Sequence, residues 1–199
     1  MYLKFPTLLQ IMYDSLLALN YFPRAWKEGE LVYFRKEGKP PHLPTSYRPI
    51  TLLPILGKIF EKLILKRIHH YLTLSNTLSG KQHGFVERRS TETALKTLLS
   101  HITLNKQNNL YTSLISIDFA GAFDNLPYSK SIKSLLNLKL PLQLINILAS
   151  FLEERRAQIY WHGISQIIYT ISRRVVPGLL FGPFLWLPLL KTLLAVPLG

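Results

Sequence analysis

Apolar residues recur at helical spacing near the amino end. Leu8, Leu9, Ile11, Met12, Leu16, Leu17 and Leu19 lie between Pro6 and the turn at Pro23, so residues 7–20 read as an amphipathic helix. The run Leu31-Val32-Tyr33-Phe34 is β-type, and the basic, proline-containing stretch from Arg35 to Pro41 follows it, as a strand feeds a hairpin or loop. From Ile55 to Tyr71, the residues Ile55, Ile59, Leu63, Ile64 and Ile68 make one helical stripe. Lys58, Glu61, Lys62, Lys66 and Arg67 lie mostly on the other side, which predicts a basic amphipathic helix. A further helix is expected from Ser90 to about Leu104, with Ser90 or Thr91 capping its free amides.

The short segment Tyr111–Ile117 is rich in β-formers and ends at Asp118, the pattern of a buried central strand. Pro127 and Pro141 suit the first turns of two helices, the second carrying Leu144, Ile145, Leu148, Phe151 and Leu152. Glu153 to Arg156 reads as the solvated end of that helix. Ala157–Trp161 and Gln166–Ile171 flank His162-Gly163 as the arms of a hairpin. Residues 175–199 are strongly apolar, but Pro177, Pro183, Pro188, Pro197 and Lys191 interrupt them, so no membrane span is expected. Pro6 and Asp14 likewise interrupt the first apolar run, and no small-residue cleavage site follows it, so the amino end reads as intracellular rather than as a signal peptide. The pattern is α+β, without the strand-helix alternation of a doubly wound sheet.

Composition narrows the chemistry. The 199 residues include no cysteine, which excludes disulfide scaffolds and Cys-ligated metal centres. With 48% hydrophobic residues the chain can fill a core, so it is no disordered polycation. Its net charge of +13 and pI near 10.0 point to a polyanionic partner, and most of the excess falls in residues 1–110.

The stretch Ser116-Ile117-Asp118-Phe119-Ala120-Gly121-Ala122-Phe123-Asp124 carries two carboxylates, the first of them at the end of the expected strand. Such a carboxylate can hold magnesium, which prefers hard oxygen ligands and completes its shell with water and substrate phosphates. By spacing alone a strand-end Asp such as Asp118 is more often a turn former or a helix cap. His69-His70 lack a metal-ligand partner at suitable spacing and read as helix-end or surface residues.

Ile-Asp-Phe-x-x-Ala-Phe-Asp resembles the first catalytic motif of reverse transcriptases from non-LTR (LINE-like) retrotransposons, particularly the jockey-related elements of arthropods. Other blocks follow in family order: Tyr21 to Lys27, Ser46 to Pro54, Gly57 to Lys62, Gln82-His83-Gly84-Phe85 through Arg89-Ser90-Thr91, and Gly182-Pro183-x-Leu185-Trp186. The likeness spans roughly residues 6–187. It implies the fingers and a partial palm of a right-hand polymerase, with fingers over 1–110, partial palm over 111–187, a divergent apolar tail over 188–199 and no thumb.

The resemblance also implies roles. Asp118 would be the first metal-binding aspartate, and the backbone carbonyl of Phe119 would help hold a second Mg2+. Ala122 and Phe123 would lie at the incoming nucleotide, with Phe123 under its sugar, although an ordinary core Phe fits that position too. Asp124 matches the pattern as ligand or cap. Arg48 would meet the triphosphate, for which a guanidinium fork is suited. Lys39, Arg89 and Gly182 would face template or phosphate, with Lys36 a lesser candidate, while Lys58, Lys62, Lys66 and Arg67 either track a template backbone or form a solvated face. The implied partners are an RNA template, a DNA primer and dNTP, and the implied compartment is the nucleus or cytoplasm.

The chain departs from the family pattern in three places. Val86 and Arg88 replace an Arg and a Gly in the Gly-Phe-Arg-x-Gly-Arg block. Pro177-Gly178-Leu179-Leu180-Phe181-Gly182-Pro183 is one residue shorter than the second palm motif and lacks its Gln and Ser. No Asp or Glu follows Glu154, so the aromatic-Ala-Asp-Asp sequence that completes the family's metal site is missing. The expectation is therefore a fragment, inactive alone, of an RNA-directed DNA polymerase. The alternatives are a non-catalytic basic nucleic-acid-binding remnant and an inert product of a decayed element.

Overall fold

A computed structural model describes residues 5–75, 77–119, 127–161, 165–171 and 178–194. Helix α1 (Pro6–Ala18) begins with proline, whose missing N–H costs nothing in a first turn, and Asn20 at φ 54° ends the helical path. Strands β1 (Glu28–Arg35) and β2 (Tyr47–Leu52) form an antiparallel hairpin in register from Glu30 opposite Leu52 to Arg35 opposite Tyr47. Helix α2 (Ile55–Leu74) follows, then α3 (Thr91–Gln107), α4 (Tyr128–Asn137), α5 (Leu142–Leu152), strands β3 (Arg155–Trp161) and β4 (Ser165–Ile171), and α6 (Phe181–Leu194). The sheet order is β2-β1-β3-β4. β1 joins β3 in parallel at Glu28 to Glu30, whereas β3 and β4 are antiparallel, so both halves of the chain share one mixed sheet.

An aromatic chain holds the layers together. Phe60 of α2 stacks on Tyr13 of α1 at 5.5 Å and lies 5.4 Å from Phe22. Phe22 meets Phe151 of α5 edge-on at 4.8 Å, and Phe151 meets Phe181 of α6 edge-on at 4.7 Å. Edge-to-face pairs of buried rings add electrostatic preference to their large apolar area. Phe22 N–H also donates to Ser150 Oγ (3.0 Å), and Gln143 donates to the Leu17 carbonyl (2.8 Å), tying α5 to the amino-terminal layer.

The helix expected around 55–71 is present, but its buried face is rotated. Gly57, Phe60, Glu61, Ile64, Ile68 and Leu72 point inward, while Ile55, Ile59 and Leu63 are exposed. Apolar residues ring much of this helix, so two stripes compete, and the core selects the one that carries Phe60. Gly57 belongs to that face because a Cβ there would approach the Trp26 Cβ to 2.9 Å.

Four other expectations are corrected. Residues 111–117 form no strand, and Tyr111, Leu114, Ile115 and Ile117 are exposed. β-propensity reflects fit to a pleated, half-buried surface, and no described strand pairs with this run. Pro127 and Pro141 sit at the N-cap positions of α4 and α5, not inside their first turns. Arg155 is not part of a solvated helix end: it begins β3 and is 1% exposed. The prolines do not break the carboxyl-terminal segment outright, since α6 takes Pro183 in its first turn and continues past Pro188. Among the described residues no helix is long and apolar enough to cross a membrane. The expected turn at His162-Gly163 lies outside the described residues.

Ser90 caps α3 as expected: its side chain accepts from the Thr93 N–H and Thr93 Oγ1 accepts from the Ser90 N–H, a reciprocal capping box. Yet α3 buries none of its side chains.

The rotated face of α2 makes a direct prediction. Phe60 is 0% exposed and Ile59 is 42% exposed. Phe60→Ala should cost about 3–5 kcal/mol in urea unfolding, whereas Ile59→Ala should cost less than about 1.5 kcal/mol. Equal losses would contradict this packing.

Candidate nucleic-acid interface

The β1–β2 hairpin sets out the first part of the site. Arg48 is exposed on β2, opposite Phe34. Lys36 Nζ donates to the Thr45 carbonyl (2.8 Å) and so braces the connecting loop, while Lys39 is exposed at the turn of that loop. Side chains two apart on a strand share a face, so Arg48 and Ile50 point to the same side of the sheet. Gly178 packs there. Its φ of +99° suits glycine, and a Cβ would lie 2.9 Å from the Thr51 carbonyl oxygen and 3.1 Å from Ile50 Cγ2. The turn leading into α6 therefore docks against β2 at Ile50 and Thr51.

That turn is held from its other side by Glu61. Phe181 N–H donates to Glu61 Oε1 at 2.7 Å, a carboxylate set on the first amides of α6. Glu61 is 0% exposed, and its Oε2 lacks a hydrogen-bond partner. Burial pushes its carboxyl up to about 7, opposed by the Phe181 amide, the Arg155 guanidinium, the Leu180 amide and Lys58. Arg155 in turn lies 4.3 Å over the Phe151 ring and donates to the Phe151 carbonyl (3.2 Å). The hydrophobic pattern assigned Glu61 to the polar side of α2. The usable signal was its place between Phe60 and Ile64, inside the inward row.

The second part is a groove of about 750 Å³ between α2, residues 85–89 and the start of α6. Lys62, Lys66 and His70 bring cationic or titratable groups, Phe85 brings an exposed ring, and Leu180 and Pro183 form the α6 wall. Phe85 and Arg88 both have positive φ, 57° and 62°, so this segment turns sharply to place the ring. His69 also lines the groove, and burial depresses its imidazolium, partly offset by Glu87. The His69 ring packs against Phe184 at 6.4 Å. Sequence spacing offers no metal-ligand partner for His69-His70, and the part of His69 in a groove wall depends on contacts remote in sequence.

Arg89 reaches the groove while organising the loop beneath it. Its Nη1 donates to the carbonyls of Ser79 and Gly80, both at 2.9 Å, and of Gln82. Gly182 is buried in the first turn of α6, its N–H on the Leu179 carbonyl (3.2 Å). It faces neither groove nor solvent.

Asp118 is exposed on a stretch without regular structure, not at the end of a strand. Phe119 follows, with its ring 6.0 Å from Trp186 of α6. Ala122, Phe123 and Asp124 lie outside the described residues. Among the described residues no three His, Cys, Asp or Glu side chains converge to hold a metal ion. Among the described residues, the donors near Asp118 do not by themselves make up a two-ion site, which needs several carboxylate oxygens clamping cations about 4 Å apart. The structure brings Arg89 and the start of α6 to one groove and Phe119 to Trp186 of α6, and leaves Arg48 exposed on β2 and Lys39 in the hairpin loop.

The family described as Reverse transcriptase (RNA-dependent DNA polymerase) matches residues 34–196. The chain is 32% identical over 178 residues to the probable RNA-directed DNA polymerase from transposon BS of Drosophila melanogaster, covering 89% of this chain and 20% of that protein. It is 33% identical over 178 residues to the RNA-directed DNA polymerase from mobile element jockey of the same species, covering 89% and 19%. For the X-element polymerase of that fly the identity is 30% over 176 residues, covering 88% and 19%. The chain thus spans about a fifth of the length of these relatives. The reverse transcriptases carry out metal-dependent nucleotidyl transfer, and this chain, with its α+β architecture and motifs in order, belongs to their family, among those of non-LTR retrotransposons.

Proposed function

We propose that this chain is the fingers and partial palm of an RNA-directed DNA polymerase, and that alone it binds nucleic acid without extending a primer. The observation that carries the reading is the basic groove of Lys62, Lys66, His70 and Phe85 meeting the seat of α6, in a chain matched to the reverse transcriptase family over residues 34–196. Residues 1–110 supply the fingers, 111–187 the partial palm and 188–199 a divergent tail.

Lysines at i and i+4 on one helix face suit consecutive phosphates, and the exposed Phe85 ring in the same groove offers a surface for an unpaired base. Arg48, exposed on β2, suits the triphosphate of an incoming dNTP, while Lys39 at the hairpin tip and Arg89 in the groove suit template phosphates. Gly182 acts through the course of the backbone at the α6 turn. Asp118 and the Phe119 carbonyl are the metal-side groups, with Ala122 and Phe123 toward the nucleotide. Mg2+ belongs to the reaction of the longer protein, and no step through it is assigned to these residues. An RNA template and a DNA primer are the partners, met in the nucleus or cytoplasm.

A second reading, an inert product of a decayed element, is favoured by one observation. Tyr111, Leu114, Ile115, Ile117 and the α3 leucines Leu95, Leu99 and Leu104 are exposed, as in a chain that lacks the surface meant to cover them. A cooperative thermal melt by circular dichroism contradicts that reading, and its absence supports it.

Two results are expected. Primer extension on an RNA template with magnesium should give no product above an Asp118→Ala control, and product above that control would overturn the inactivity of the chain alone. Binding to an RNA–DNA duplex with a single-stranded RNA overhang, followed by fluorescence anisotropy, should weaken steeply with salt. The double variant Lys62→Ala/Lys66→Ala should lower the slope of log K against log[salt] by about 2. An unchanged slope would remove the groove from the interface.

A further inference from the structure

Phe85 lies between two turns of one loop. Over residues 79–82 the Gln82 N–H donates to the Ser79 carbonyl (3.1 Å). Over residues 86–89 the Arg89 N–H donates to the Val86 carbonyl (3.2 Å), with Arg88 at φ 62° in the third place. Between the turns Gln82 is buried, and its Nε2 donates to the Gly84 carbonyl (3.3 Å). Phe85 follows at φ 57°, a left-handed shape that strains a bulky residue and that the neighbouring Gly84 does not take. The residue so placed is 50% exposed and lines the groove with Lys62 and Lys66. Core packing does not explain a strained backbone that leaves an aromatic ring half in water.

One side chain closes this loop on itself. Arg89 Nη1 donates to the carbonyls of Ser79 and Gly80, both at 2.9 Å, and of Gln82. All three carbonyls belong to the first turn, so the guanidinium at the end of the loop holds its beginning. Nη1 offers two N–H groups to three carbonyls, so one is shared, and the positive charge strengthens each contact. The far end is fixed as well. α3 starts at once with the Ser90–Thr93 capping box, and the Thr93 hydroxyl that completes it lies 2.9 Å from His83 Nδ1. A loop with joined ends keeps one shape where an open loop samples many, and a ring held in place beforehand has little ordering cost left to oppose binding.

We propose that Arg89 is a positioning residue: by closing the 79–89 loop it presents the Phe85 ring in advance to a base of an unpaired strand, and so gives the groove a preference for single-stranded over paired nucleic acid. The inference rests on the reading of the groove as a nucleic-acid interface. Paired bases cover one another's faces, whereas an unpaired base has a face free for an aromatic ring. Lys62 and Lys66 lie one helical turn apart and attract the phosphates of either form. The lysines therefore supply affinity, and the ring supplies the preference. A phosphate contact made by the remaining N–H groups of Arg89 adds to the affinity for both forms and leaves the preference unchanged.

The test is a double-mutant cycle on the full chain. Its readout is the ratio of affinities for an RNA–DNA duplex with a single-stranded RNA overhang and for the same duplex with blunt ends. Phe85→Ala should lower that ratio about tenfold, within the contribution of stacking one base. Arg89→Ala should lower it nearly as far, and the double variant no further than Phe85→Ala. A residue that merely supports the fold would weaken both substrates alike. An unchanged ratio in Arg89→Ala, or a double-variant loss equal to the product of the single losses, would overturn the proposal. Should Arg89→Ala fail to fold, 15N NMR of the guanidinium in the native chain decides. Slowly exchanging Nη1 protons that persist when oligouridine binds support the closed loop, and their loss on binding overturns it. Binding that ignores Phe85→Ala and Lys62→Ala/Lys66→Ala alike removes the groove reading and the proposal with it. Dependence on Phe85 and the lysines, with Arg89 acting independently of Phe85, removes the positioning role alone.

Discussion

Seating the amino end of α6 on Glu61 takes a carboxyl group out of water, and the candidate interface depends on that seat. α6 forms one wall of the groove through Leu180 and Pro183, meets Phe119 through Trp186 and reaches β2 through the turn at Gly178. The aromatic chain from Tyr13 through Phe60, Phe22 and Phe151 to Phe181 supplies the apolar burial that holds α6 near α2. Burial of rings is not directional enough to fix the rotation and height of a helix end. The Glu61 contact with the first α6 amides supplies that direction.

The parts of this fold that were legible in the sequence are those fixed by neighbouring residues. Proline and periodicity marked α1 and α5, a capping residue at Ser90 or Thr91 marked the start of α3, and β-formers marked both arms of the β3–β4 hairpin. What periodicity left ambiguous was the choice between two apolar stripes on α2, because Ile64 and Ile68 serve both and only Phe22, Trp26 and Tyr13 on other elements select the Phe60 side. The run 111–117 has the residues of a strand without a described ladder partner, and β-structure is a property of the pair. Glu61 and Arg155 were read as surface charges because their burial depends on contacts remote in sequence. The carboxylate and the Phe181 amide are separated by 120 positions.

The same distinction applies to the site. Motif order singled out Arg48, Arg89 and Asp118 as candidates, since those blocks are contiguous in sequence. It did not show that Arg89 spends one nitrogen on the carbonyls of Ser79, Gly80 and Gln82, nor that Gly182 is buried. Cationic and aromatic groups that suit a nucleic-acid strand converge on α2 and α6, while the described carboxylates do not converge on a metal site.

The most direct test of this account is a hydrogen-exchange footprint of the full chain with and without an RNA–DNA duplex bearing a single-stranded RNA overhang. Added protection should appear in residues 62–70 and 85–89 and at the start of α6, and be absent along α3. Protection confined to α3, or no change at any position under conditions where the duplex is bound, would contradict the assignment of the basic groove.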